Sequence, residues 1–308
     1  MVENFVNDVM ENICGKLKDK NCRVKLNPVV KINSIHKTGV TILEEDSMAA
    51  PTLYFEDFYS MYEQGCTIDE IADRIIAIHN IQKKTIPYEF TKMSDFEYAR
   101  DHITLKLINT RKNRTILGDV PHIIYSELGL AIIFEVTVID DMTKEVMSAR
   151  IPMNVMKGWD TNTDELFRIG QENTLRMMGV YVKEMKEAFE DFTKDGKVEI
   201  ESSFYEDLCS MNRMPIYVLT NNLKLYGAVN IFIDGVLRDV SDMMDDDICI
   251  IPSSIHEVLL VPLRLVDCLD DINIMISEIS EEVLQRQDFL SDNCYVYSRQ
   301  LDKIIMYS

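Results

Sequence analysis

The sequence predicts an α+β protein built as a helical N-terminal region with a β-meander, followed by an antiparallel-sheet α+β domain. Three observations carry that class. Segments of helical and strand period are interleaved without the regular strand–helix alternation of a parallel sheet. The last third reads ββαββαββ, with short turns between its strands. The chain has 308 residues and 46% hydrophobic content, enough to bury a sizeable core.

Residues 2–19 carry Phe5, Val6, Val9, Met10, Ile13 and Leu17 at helical spacing. Two strands follow, at Cys22–Ile32 and Gly39–Leu43; Pro28 marks the first as an edge strand or a bulged one. Phe55, Phe58, Tyr59 and Tyr62 share one helical face, and Gly65 ends that helix. Thr67-Ile68-Asp69-Glu70 is a capping box that opens a helix through Ile71, Ile75, Ile76 and Ile78. Ser94-Asp95-Phe96-Glu97 is a second box and predicts a helix to about Asn109. Pro121–Asp140 reads as two strands turning near Glu127–Gly129, with a third antiparallel strand at Glu145–Met153. Asn162 caps a helix through Leu175, and Tyr181–Phe192 reads as helical again. The lone tryptophan, Trp159, precedes the Asn162 cap and is expected to pack as a staple or lid.

Residues 193–212 are polar and mixed, and are expected to link a domain at 1–192 to an acidic domain at 213–308. In the latter, strands are expected at Ile216–Thr220, Ala228–Ile233, Ile248–Ile251 and Val258–Val261. Helices are expected from Asp234-Gly235 to Met244 and over Asp270–Arg286, and a closing hairpin joins Tyr295–Tyr297 to Lys303–Met306.

The net charge of −20 is unevenly spread. Residues 1–116 hold 17 acids and 16 bases, whereas residues 234–292 hold 15 acids and 3 bases. Such a field repels nucleic acid and anionic membrane and attracts basic partners. The expected partner is therefore a protein, with no direct nucleic-acid or membrane binding. Seven scattered cysteines with no Cys-x-x-Cys pair read as reduced thiols of a cytoplasmic protein. No signal peptide is read at the N-terminus, and the longest apolar run, Leu128–Phe134, is far short of a membrane span.

The sharpest chemical candidate is Ser253-Ser254-Ile255-His256-Glu257, which holds the parts of a nucleophilic triad: Ser254, His256 and Glu257. In an extended strand Ser254 and His256 stand roughly 7 Å apart with Glu257 on the other face. Proton transfer needs about 3 Å. A turn leading into a buried strand is the expected role. None of the five histidines lies at metal-ligand spacing from another, so no metal site is expected. Asp242 with Asp245-Asp246-Asp247 lacks the spacing of a calcium loop and reads as a solvated helix end. No glycine-rich phosphate loop occurs, and no cofactor is expected. Thr67–Arg74 looks like the first helix of a helix-turn-helix, but the recognition helix does not follow. Binding candidates are Asn221 and Tyr226, which could line one concavity with Ser254 and His256, and Tyr59 and Tyr62 on the aromatic helix face.

Several stretches together carry a resemblance: Pro51-Thr52-Leu53-Tyr54-Phe55, Lys106-Leu107-Ile108-Asn109, Val120-Pro121-His122, Glu165-Leu166-Phe167, Tyr217-Val218-Leu219-Thr220-Asn221 and Ile251–Val258. Over nearly its whole length the chain resembles an uncharacterised family of bacterial proteins from gut clostridia, catalogued as domain of unknown function 5688. Its members are often encoded near genes of mobile elements. The resemblance implies relatives without an assigned activity. One departure is Asp160-Thr161-Asn162 after Trp159, where the family has Gly-Val-Thr or similar.

The functional expectation is a non-enzymatic binding or regulatory protein. Two alternatives stand beside it: a hydrolase-like enzyme using Ser254 and His256, and an acidic decoy in which residues 234–292 mimic nucleic acid and occupy a basic partner.

Overall fold

A computed structural model describes residues 2–45, 50–84, 88–140, 142–194, 215–282 and 286–307. The chain forms two compact units, Met1–Ala99 and Arg100–Ser308. Every strand pairing among the described residues is antiparallel, which fits an α+β fold.

The first unit opens with α1 (Val2–Leu17), whose Phe5, Val6, Val9, Ile13 and Leu17 are buried. Strands β1 (Cys22–Lys31), β2 (Ile35–Glu44) and β3 (Thr52–Tyr54) form a sheet in that order. Pro28 thus lies on an edge strand, as its missing N–H demands. Helix α2 (Glu56–Glu63) supplies Phe58 to the core and ends before Gly65, whose φ of 100° only glycine adopts cheaply. The Thr67–Glu70 capping box is fully formed and opens α3 (Ile68–Gln82). Ile71, Ala72 and Ile75 join Val40, Ile42 and Leu53 beneath α1 in one core. Two short helices, α4 (Tyr88–Thr91) and α5 (Phe96–Ala99), complete the unit.

The second unit begins where the sequence misleads. Helix α5 starts one residue later than the Ser94–Glu97 box predicts: Asp95 is the cap, its carboxylate accepting from the Glu97 N–H at 3.1 Å, and the helix stops after one turn. Ile103–Asn109 is strand β4, buried at all seven positions. A strand covered on both faces loses its alternation, and its apolar run is then indistinguishable from a helix by period. Helix α6 (Arg114–Asp119) leads to β5 (His122–Tyr125), β6 (Leu130–Ile139) and β7 (Val146–Arg150). The expected turn is a 3-10 segment closed by Gly129 at φ 66°. Strand β6 is central, pairing with β4, β5 and β7. After α7 (Met153–Gly158), the buried Trp159 and the exposed Asp160 come before α8 (Thr163–Met178), which Asn162 caps with bonds from the N–H groups of Asp164 and Glu165. Gly170 lets α8 lie directly on β4: a Cβ there would sit 2.4 Å from Leu105 Cδ2.

Tyr181–Phe192 is not one helix. Tyr181–Glu184 is β8, and α9 (Met185–Lys194) follows. Most of the 193–212 segment lies outside the described residues. The strands on either side of it, β8 and β9 (Tyr217–Thr220), pair in one sheet. Ala228–Ile233 is likewise not a strand: Gly227–Phe232 is a 3-10 helix. Its Asn230 amide donates to the Thr220 carbonyl at 2.7 Å and holds it against β9. Helix α10 (Val236–Met244), β10 (Ile248–Pro252), β11 (Val258–Pro262), α11 (Leu269–Glu282), β12 (Tyr295–Ser298) and β13 (Lys303–Met306) match the sequence pattern closely.

The resulting sheet runs β13-β12-β10-β11-β9-β8. On one face Cys249, Ile251, Leu259, Val261 and Cys294 pack under Met185 and Ala188 of α9 and Ile276 of α11. From the other face the Tyr295 hydroxyl reaches the Leu128 carbonyl at 3.2 Å, tying this sheet to the β4–β7 sheet. The Asn109 amide makes a second tie to the Leu290 carbonyl at 3.0 Å. The acidic run is clamped rather than loose. Arg299 bonds Asp242 and Asp245 at 2.8 and 2.9 Å, and Arg264 pairs with Asp246 at 3.2 Å.

Candidate functional site

The loop after β9 is built by Asn221. Its side-chain oxygen accepts from the N–H groups of Leu223 and Leu225 at 3.0 and 3.3 Å, and its amide donates to the Leu225 carbonyl at 2.7 Å. A fully buried asparagine used this way shapes backbone and offers nothing to a ligand. The loop delivers Tyr226 in a left-handed conformation, φ 58°. Gly227 follows because a Cβ there would meet Thr220 Oγ1 at 2.4 Å and the Asn221 nitrogen at 2.6 Å.

Ser253–Glu257 is the tight connection between β10 and β11, not a strand. Ser254 N–H bonds the Glu257 carbonyl at 3.1 Å, which folds Glu257 back. Its carboxylate therefore accepts from the Ser254 and Ser253 hydroxyls at 2.8 and 3.1 Å, instead of facing away. Ser254 meets His256 only through the His256 backbone N–H, which donates to Ser254 Oγ at 2.9 Å. The imidazole points elsewhere. Its Nδ1 accepts from the Tyr226 N–H at 3.1 Å, which assigns the ring proton to Nε2, and Nε2 lies 3.2 Å from Asp288 Oδ1.

The structure thus brings Asn221, Tyr226, Ser254, His256 and Glu257 together in one loop cluster, and adds partners the sequence did not reveal. The Tyr226 ring stacks on His256 with centroids 5.2 Å apart, and Lys106 Nζ lies 3.5 Å from the Tyr226 centroid. Lys106 pairs with Glu135 at 2.6 Å, both almost fully buried on the β4–β6 face beside the Thr104–Thr137 hydroxyl bond. A chain of groups from Glu135 through Lys106, Tyr226 and His256 to Asp288 therefore joins the two sheets. Lys106 escaped notice because its segment read as a helix. The only signal was its place at alternate spacing between Thr104 and Ile108.

Tyr59 and Tyr62 belong to the other unit. They pack on Phe5 with centroids 5.2 and 5.0 Å away, at the margin of the α1–α2 core. Among the described residues no group of three or more His, Cys, Asp or Glu side chains is arranged to hold a metal ion. No helix there is long and apolar enough to cross a membrane.

An open cleft of about 630 Å³ lies elsewhere in the second unit. Its floor is Leu128, Ile231, Ile233 and Leu237, and one wall is the Tyr125–Phe232 pair, stacked at 4.2 Å. Arg238, Asp302, Lys303 and Asp234 stand at its rim. Asp302 accepts from the Tyr297 hydroxyl at 2.6 Å and is ion-paired with Arg238. Both contacts hold the Asp302 carboxyl below its usual range, the tyrosine bond foremost. Burial, helped by that same bond, pushes the Tyr297 phenol up to about 12. Burial also raises the Tyr125 phenol, with Asp234 adding to the effect. The cleft went unread because its residues come from β5, two 3-10 segments, α10, β12, β13 and the turn before β13, with no local spacing to mark them.

No curated protein and no solved structure shows significant similarity to the chain. The sequence profile of the family of unknown function DUF5688 matches residues 2–299, and the chain belongs to that family.

Proposed function

We propose that this is a non-enzymatic binding protein whose second unit receives an apolar or aromatic side chain of a protein partner in the Tyr125–Phe232 cleft. One observation carries the reading: the sharpest nucleophile–base grouping in the sequence, Ser253–Glu257, is spent on its own loop. Both His256 nitrogens are engaged, and the Ser254 hydroxyl donates to Glu257. A general base must reach the proton it removes, and the imidazole does not face Ser254. The cleft, by contrast, is open, apolar at its floor and charged at its rim, the pattern of a small interaction pocket.

The hydrolase-like alternative would require the Ser253–Glu257 turn to rearrange. The decoy alternative draws less support from Asp242–Asp247, whose carboxylates are held by Arg264 and Arg299. A cytoplasmic setting belongs to the same proposal. It is supported by the free state of all six described cysteines, including the contacting, fully buried Cys249 and Cys294.

Two measurements test the reading. Panels of ester, phosphate and peptide substrates should show no turnover; turnover abolished by Ser254→Ala or His256→Ala would refute it. Titration with N-acetylphenylalanine amide should shift the methyl resonances of Ile231 and Ile304, and Phe232→Ala should remove the shift.

A further inference from the structure

The outer edge of β1 in the first unit is an open sheet edge. The Glu45 N–H donates to the Asn21 carbonyl at 3.1 Å, and the β1–β2 register pairs Cys22 with Glu44. Hydrogen-bonded pairs alternate along an antiparallel ladder. Odd positions of β1 therefore bond to β2, and the N–H and C=O groups of Val24 and Leu26 point outward. No strand pairs with that edge among the described residues. Pro28 lacks an N–H and blunts the far half of the edge, which leaves 22–27 as the open stretch.

The side chains beside this stretch sort by face. Arg23, Lys25 and Lys31, with Lys37 of β2, occupy the solvent face, and no acidic side chain of β1, β2 or β3 shares it. Lys31 and Lys37 lie over the Tyr54 ring at 4.0 and 5.1 Å, and Lys37 pairs with Asp57. Arg23 and Lys25 are exposed and have no ion pair among the described residues. On the opposite face Cys22 and Val24 pack on the core, and Leu26 is 44% exposed at its margin.

We infer that β1 accepts an extended polypeptide segment of alternating acidic and apolar residues as a fourth strand. Its backbone would bond Val24 and Leu26, its acids would lie beside Arg23 and Lys25, and its apolar residues would cover Leu26. Main-chain bonding supplies affinity in such additions, and alternate side chains supply selectivity. Charge complementarity favours an acidic segment, and the aromatic ring on this face is already covered by lysines rather than free to stack a base.

The test titrates the intact protein with a short peptide alternating Val and Glu. Controls are a peptide of the same composition with its residues in two blocks, a Val–Lys peptide, and oligothymidylate. The alternating acidic peptide should bind, more weakly as salt rises, and the controls should not. Arg23→Glu with Lys25→Glu should weaken it by about tenfold, since each exposed pair is modest. Leu26→Pro should abolish it with thermal melting unchanged, because that N–H serves no bond within the sheet. No binding, equal binding of the block peptide, or equal binding of oligothymidylate would each overturn the proposal. None of these outcomes depends on the cleft of the second unit.

Discussion

Gly227 and Lys106 show how single positions hold the loop cluster in place. A methyl at Gly227 meets the Thr220–Asn221 backbone at 2.6–2.7 Å, so Gly227→Ala should cost about 2–3 kcal/mol, read as a lower denaturation midpoint. Replacing Lys106 by Met leaves Glu135 buried and unpaired, at a cost of about 3–5 kcal/mol. Adding Glu135→Leu should recover most of that loss, a non-additivity that a double-mutant cycle detects. His79 offers a pH signature. It is 3% exposed, its Nε2 has no hydrogen-bond partner among the described residues, and burial followed by the nearby Lys83 charge lowers its pKa from the ordinary 6.5. The unfolded chain thus binds the proton more tightly than the folded one. The stabilisation is full above 6.5 and is lost as pH falls below it. Melting temperature should drop on acidification through that window, and His79→Leu should flatten the drop. In the loop cluster the sequence marked Ser254, His256 and the turn that carries them, but the strand spacing put Glu257 on the wrong side. A side chain's partners come from elements far along the chain, and spacing reports only near neighbours.

Elements with one wet face were the legible ones. α1, α3 and the β1–β2 ribbon show their periods because solvent enforces polar residues on one side. β4 does not, being covered on both faces, and a true helix cap at Asp95 just before it compounds the misreading. The 3-10 helix at Gly227–Phe232 was misread for a related reason. All its residues but Phe232 are buried, and the asparagine that secures it acts through a bond to Thr220, ten residues away. At this scale Gly170→Ala is the informative change. It should force Leu105 aside and separate α8 from β4, lowering stability by about 1–3 kcal/mol. Hydrogen-exchange protection of β4 should fall with it.

At the scale of the whole chain, composition announced acidity and a core, and strand order announced an antiparallel α+β class. It did not announce where the compact units divide. The division falls at Ala99/Arg100, in a stretch that carries a helix signal and no linker composition. The cleft was invisible for the same reason that it is well formed: elements spread over residues 125–304 converge on it.

That convergence has a temporal side. β12 lies between β10 and β13 inside the six-stranded sheet, and the ties between the two sheets span 167 and 181 residues. Contacts so distant in sequence are slow to form, because loop-closure entropy is lost before the contact repays it. On the ribosome the first unit can reach its native ladder early, whereas the β4–β7 sheet must wait, apolar and half-clad, for residues near 290 to emerge. Nascent chains stalled before Leu290 should therefore be far more sensitive to protease across residues 103–139 than within 2–45.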